Sequence, residues 1–233
     1  MPEYNYKLWD MQAIAEIDVP FVREALECRK WAFASDFVRL WAVEKFGGIY
    51  IDTDVELFSS LDPFRDCRLF IGREEYHHVR NWYPQQFLTS HLFGAEPHHP
   101  FIKDCLLYYT SRHFKISDDS RLPDELRYEF RVAPEVQALV ASKYGYEPRL
   151  SEDRMQHCSE GIEVYPSNIF GSCFRALPGA VGLHYCLGSW MLPEHKGPQK
   201  DVDAPRWRMA IAPKVIEILR NLLKRMGYVI YKS

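Results

Sequence analysis

The run Gly47-Gly48-Ile49-Tyr50-Ile51-Asp52-Thr53-Asp54-Val55-Glu56-Leu57 constrains this chain more than any other. Paired glycines mark the end of one element and the start of the next, because glycine tolerates the backbone angles that helix ends require. Ile49 to Leu57 then alternates with a period of two, the pattern of a strand. On that spacing Ile49, Ile51, Val55 and Leu57 share an apolar face, and Tyr50, Asp52, Asp54 and Glu56 lie opposite. Carboxylates in a row on one face repel one another unless positive charge sits among them. A divalent cation supplies that charge: carboxylate oxygens are hard ligands suited to Mg²⁺ or Mn²⁺, and such sites leave positions open for phosphate oxygens. The alternative is an edge strand with a solvated acidic face. The apolar start of the run places the acids where a buried strand emerges, and α/β sheets gather ligands at such carboxyl ends.

Upstream, the periodicity over residues 20–46 is helical, as two helices or one kinked helix ending at Gly47-Gly48. From Lys30 to Val43 it is apolar nearly all round, which is the mark of a buried helix. At about 100° per residue, Ser35, Asp36 and Arg39 fall within one arc of it. Buried charges must be paired. Asp36 and Arg39 either pair with each other or line a pocket, with Arg39 facing an anionic ligand and Asp36 accepting from hydroxyls.

Elsewhere, strands are expected at residues 4–9, 69–73, 87–94, 161–165 and 180–185, a helix over 99–114, and a polar surface loop over 117–134. Residues 213–225 form an amphipathic helix with a basic face, which either packs on the core or makes a peripheral membrane contact. Strands alternating with helices predict an α/β architecture, and 233 residues fit one domain spanning 1–233.

Composition narrows the function classes. A net charge of −3 excludes a polycation built for phosphate backbones, so no nucleic-acid partner is expected. A hydrophobic fraction of 47% excludes a disordered chain. No apolar run reaches the ~20 residues of a membrane span, and Met1 to Asp10 holds no apolar leader core. The six cysteines are scattered without a C-x-x-C pair and read as reduced thiols, so a cytoplasmic protein is expected, with the inner membrane face as its peripheral station. The doublets His77-His78 and His98-His99 read as surface or packing residues rather than zinc ligands, since neighbours on a helix or strand point apart.

Ala34-Ser35-Asp36-x-x-Arg39 followed by Tyr50-x-Asp52-x-Asp54 resembles the sugar-nucleotide core of the DXD glycosyltransferases. More narrowly it resembles glycosyltransferase family 32, with its capsular and surface-polysaccharide transferases and yeast initiating mannosyltransferases. Phe93-Gly94-Ala95-Glu96, His99-Pro100-Phe101-Ile102, Tyr165-Pro166-Ser167 and His184-Tyr185-Cys186-Leu187-Gly188-Ser189-Trp190 follow in the same order.

The resemblance implies a GT-A type nucleotide-diphosphosugar transferase fold, a Rossmann-like mixed sheet flanked by helices. It implies a metal-dependent transfer of a hexose from a UDP- or GDP-sugar to a hydroxyl of a saccharide or lipid-linked saccharide, with retention, in surface polysaccharide synthesis. By the same resemblance Asp52 and Asp54 hold Mn²⁺ or Mg²⁺, with His184 completing the metal site. Ser35, Asp36, Arg39, Tyr50 and Asp52 bind the nucleotide sugar, Arg39 near the diphosphate. Asp36, Arg39, Asp52 and Asp54 form the catalytic set, and Ser189 and Trp190 close over the diphosphate.

In that family a strand reading roughly Ile-Pro-Lys-Ile-Ile-His precedes the segment matching Pro2 to Trp9, and the chain has no counterpart of it. The sheet is therefore expected to be short at its N-terminal side and to leave an unpaired edge. The alternatives are a truncated homologue that keeps the fold without catalysis, and a metal-dependent phosphoesterase using the same carboxylates.

Overall fold

The computed structural model describes residues 4–74, 87–149, 152–170 and 178–185, and the backbone of 228–231. In chain order the elements are β1 (Asn5–Leu8), α1 (Pro20–Glu27), α2 (Trp31–Phe46), β2 (Gly48–Ile51), β3 (Val55–Leu57), β4 (Leu69–Arg73) and β5 (Leu88–Ala95). They continue with α3 (Pro100–Thr110), α4 (Asp124–Arg127), α5 (Ala133–Ala141), β6 (Gln156–Cys158), β7 (Ile162–Tyr165), α6 (Ser167–Phe170), β8 (Gly182–His184) and β9 (Tyr228–Tyr231).

Seven strands form one mixed sheet in the order β1-β9-β2-β5-β4-β7-β6, and β3 pairs with β8 in a separate two-stranded sheet. Only β4 and β7 are parallel neighbours among the described strands. The larger core lies between one sheet face and α1, α2, α3 and α5, where Phe33, Phe37, Val38, Leu40 and Val43 of α2 are all buried. The opposite face carries a smaller, ring-rich core in which Phe64, Phe70 and Phe170 meet with centroids 4.9 to 5.5 Å apart. β2 has cover on both sides. Tyr50 packs on Phe93 in the larger core, while Ile49 and Ile51 belong to the smaller one.

Of the two readings of residues 20–46, two helices is the one observed, broken where Arg29 turns to φ 57°. The strand expected over 49–57 is also two pieces. β2 stops at Ile51, the chain turns through Asp52 to Asp54 with the Val55 N–H donating to the Asp52 carbonyl (3.2 Å), and β3 joins another sheet. Glu56 therefore does not stand beside the two aspartates on a shared strand face; it accepts from the Tyr185 hydroxyl instead. Alternation in sequence is blind to which partner each half will find, and the partner of β3 lies far downstream. The edge expected at the N-terminal side falls at β1 among the described strands, because β9 runs antiparallel between β1 and β2, pairing Tyr228 with both Leu8 and Ile51.

The polar stretch over 117–134 includes α4 and a bridge between Lys115 and Tyr128. His98 is exposed and pairs with Glu44 (2.9 Å), whereas His99 is buried and accepts from the Phe101 N–H at the start of α3. Cys28, Cys67, Cys105 and Cys158 are free thiols. Residues 213–225, His77 and His78 lie outside the described residues. No helix among the described residues is long and apolar enough to cross a membrane.

Gly47 makes the turn from α2 into β2 with φ 65° and ψ −168°, a region open essentially to glycine alone. A Cβ there would lie 2.7 Å from Pro97 Cδ and 2.9 Å from Pro97 N. Gly47→Ala is expected to lower the free energy of unfolding by about 2–3 kcal/mol, read as a reduced urea midpoint with unchanged slope.

Candidate metal centre

Three elements converge where β2 ends. Asp52 and Asp54 sit in the turn between β2 and β3, and His184 arrives on β8, opposite Val55 in the small sheet. One ligand atom from each of Asp52, Asp54 and His184 lies within 4.8 Å of the others. His184 Nε2 is 3.1 Å from Asp54 Oδ1 and 3.8 Å from Asp52 Oδ2. Ligands on opposite sides of an ion bound at about 2.1 Å stand roughly 4.2 Å apart, so this spread can close on one cation. Carboxylate oxygens suit hard cations and an imidazole suits first-row transition metals, so the donor set fits a divalent cation. The side chains remain 21%, 19% and 20% exposed for Asp52, Asp54 and His184, which leaves room for further oxygen ligands.

Beneath this cluster lies Arg39, 5% exposed. Its Nε donates to the Ser35 carbonyl (3.2 Å), Nη1 to the Ser90 carbonyl (2.8 Å) and Nη2 to Ser35 Oγ (3.1 Å). Nη2 also meets Asp36 Oδ1 at 3.0 Å, and Nη1 meets Asp52 Oδ1 at 3.4 Å. The guanidinium lies 4.8 Å from the centre of the Tyr50 ring, whose hydroxyl donates to Asp52 Oδ1 at 2.5 Å. The helix pair Asp36–Arg39 thus exists and is joined to Asp52. The neighbouring carboxylates raise the Arg39 pKa further despite its burial, so it stays charged.

Asp36 of α2 is buried and faces the start of α5, whose Ala133 N–H donates to it. Burial pushes its pKa up to about 6; Arg39 pulls the other way and the charge of Asp52 adds to the rise. Tyr50 is raised well above the ordinary phenol value, first by burial, and stays a donor.

Of the residues expected at the site, the structure gathers Asp52, Asp54 and His184 in the ligand cluster and Ser35, Asp36, Arg39 and Tyr50 directly behind it. Ser189 and Trp190 lie outside the described residues. Glu74, at the end of β4, was not anticipated. Burial lifts its pKa to about 7, and it lies close enough to His184 for that charge to lower it. Ser90 and His91 were missed too, although a polar Thr-Ser-His in the otherwise apolar, wholly buried β5 was a readable signal.

Residues 1–71 match the protein family described as the glycosyltransferase sugar-binding region containing DXD motif. That segment holds Ser35, Asp36, Arg39, Tyr50, Asp52 and Asp54, while His184 falls outside it. A human alpha-1,4-N-acetylglucosaminyltransferase is 32% identical over 79 residues, covering 34% of this chain. The chain spans 19% of that relative's length. No solved structure matches.

The Asp36 pKa of about 6 lies above the unfolded carboxyl value near 3.9. The folded state therefore holds the extra proton between those values, and this group's contribution, greatest below the unfolded value, fades as pH rises through the folded one. Urea titrations of metal-free protein should show the stability difference between wild type and Asp36→Asn moving toward wild type by on the order of 2 kcal/mol from pH 7 to pH 4.

Proposed function

We propose that this chain is a metal-dependent glycosyltransferase of GT-A type, related to family 32, that moves a hexose from a UDP- or GDP-sugar to a saccharide or lipid-linked saccharide hydroxyl with retention. The observation that carries this reading is the convergence of Asp52, Asp54 and His184 on one point above the buried Arg39. The family match over the segment holding both aspartates supports it. A role in surface polysaccharide assembly at the cytoplasmic side of a membrane belongs to the same proposal.

Asp52, Asp54 and His184 would hold the cation, and a bound Mn²⁺ or Mg²⁺ supplies charge neutralisation for the departing diphosphate. The chain's own part is preorganisation. Tyr50 and Arg39 hold Asp52 from behind, so its remaining oxygen faces the cluster without a rotamer search. Arg39 places a fixed positive charge behind the carboxylates, which lowers the electrostatic cost of bringing a diphosphate alongside them. Asp36 is an acceptor for sugar hydroxyls. No side chain is assigned as a nucleophile or general base.

A panel of UDP- and GDP-sugars with Mn²⁺ tests this by thermal shift and by release of nucleotide. A matched donor at about 100 times its Kd should stabilise the wild type by about 2.7 kcal/mol. Asp54→Asn should remove that gain and cut nucleotide release by more than about 100-fold while the metal-free melting curve persists. Release that is equal in wild type, variant and EDTA-treated protein would defeat the reading.

A further inference from the structure

His91 sits within β5, 2% exposed, and touches the ligand cluster twice. Its carbonyl accepts the Asp52 N–H at 2.8 Å, which carries the ladder one residue beyond β2 into the turn. Its imidazole lies nearly parallel to that of His184, with centroids 4.3 Å apart and 19° between planes. The same ring is pinned at its edge, because Nε2 lies 2.7 Å from the Phe170 carbonyl. A carbonyl can only accept, so Nε2 carries the proton and the tautomer is set.

The stack matters because of where His184 comes from. β8 pairs with β3 and not with the seven-stranded sheet that carries Asp52. The ligands thus reach the cluster from two separate sheets, and the ring contact ties one to the other. Imidazole ligands need their plane fixed by a neighbouring group if the donor nitrogen is to aim correctly.

We propose that His91 is a positioning residue for the cation site: its ring sets the plane of His184 so that Nε2 faces Asp54, and its main chain fixes Asp52. This rests on the metal reading of Asp52, Asp54 and His184.

The test is Mn²⁺ binding by the full chain, read from the electron spin resonance of free Mn²⁺, with metal-free melting curves in parallel. His91→Phe keeps a flat ring under His184 and should bind within about threefold of wild type. His91→Gln keeps an amide N–H for the Phe170 carbonyl but has no ring, and should bind about 10- to 100-fold more weakly, with a metal-free midpoint no lower than that of His91→Phe. Wild-type affinity in His91→Gln overturns the role, as does an equal loss in both variants. A wild type that binds Mn²⁺ no better than His184→Ala overturns the metal reading itself, and the role with it.

Discussion

The buried guanidinium of Arg39 is the interaction on which the site is built. It reaches Ser35 and Asp36 on its own helix, the Ser90 carbonyl in β5 and Asp52 at the end of β2. Three hydrogen bonds from its N–H groups go to Ser35 and the Ser90 carbonyl, and the carboxylates of Asp36 and Asp52 stand 3.0 and 3.4 Å from the same guanidinium. A charge this far from water is tolerated only when so engaged, and removing one partner of a buried pair typically costs about 3–5 kcal/mol. The hub therefore locks α2, β2 and β5 in one relative placement, and that placement determines where Asp52 stands.

Topology does the rest of the positioning. β2 lies between β9 and β5, with cores on both faces, so its end is a rigid platform rather than a fraying edge. The chain leaves that platform at Asp52, and the turn through Thr53 to Asp54 swings the second carboxylate toward β8. The carboxylates are brought together by a turn held at both ends, by the His91 carbonyl on one side and the β3–β8 pairing on the other. The convergence leaves the cluster partly open, as a site for an exchangeable ion and an oxygen-rich ligand requires.

Much of this was legible in the residues. A helix apolar on all sides with Ser35, Asp36 and Arg39 in one arc had to be buried, and its charges had to find partners; they did so. Leu69–Arg73 was expected as a strand and has those bounds. β9 is not among the expected strands: Tyr-Val-Ile-Tyr after Gly227 is a β-rich run, but four residues following an amphipathic stretch are too short for periodicity to mark a strand. The continuous strand over 49–57 was wrong for a related reason: period-two alternation continued across a turn that only long-range pairing reveals.

Residue chemistry and spacing by themselves determined that two aspartates close together, just after a buried strand, needed positive charge nearby, and that Arg39 could not be solvent-facing. Both follow from local periodicity and from the cost of burying unpaired charge, which act within a few residues. Only the tertiary structure decided that His91 stacks beneath His184, that Glu56 turns away and that β9 fills the space beside β2. Those contacts join residues that are distant along the chain, and they are selected by sheet pairing and packing of the whole fold, for which no short stretch of sequence carries a signal.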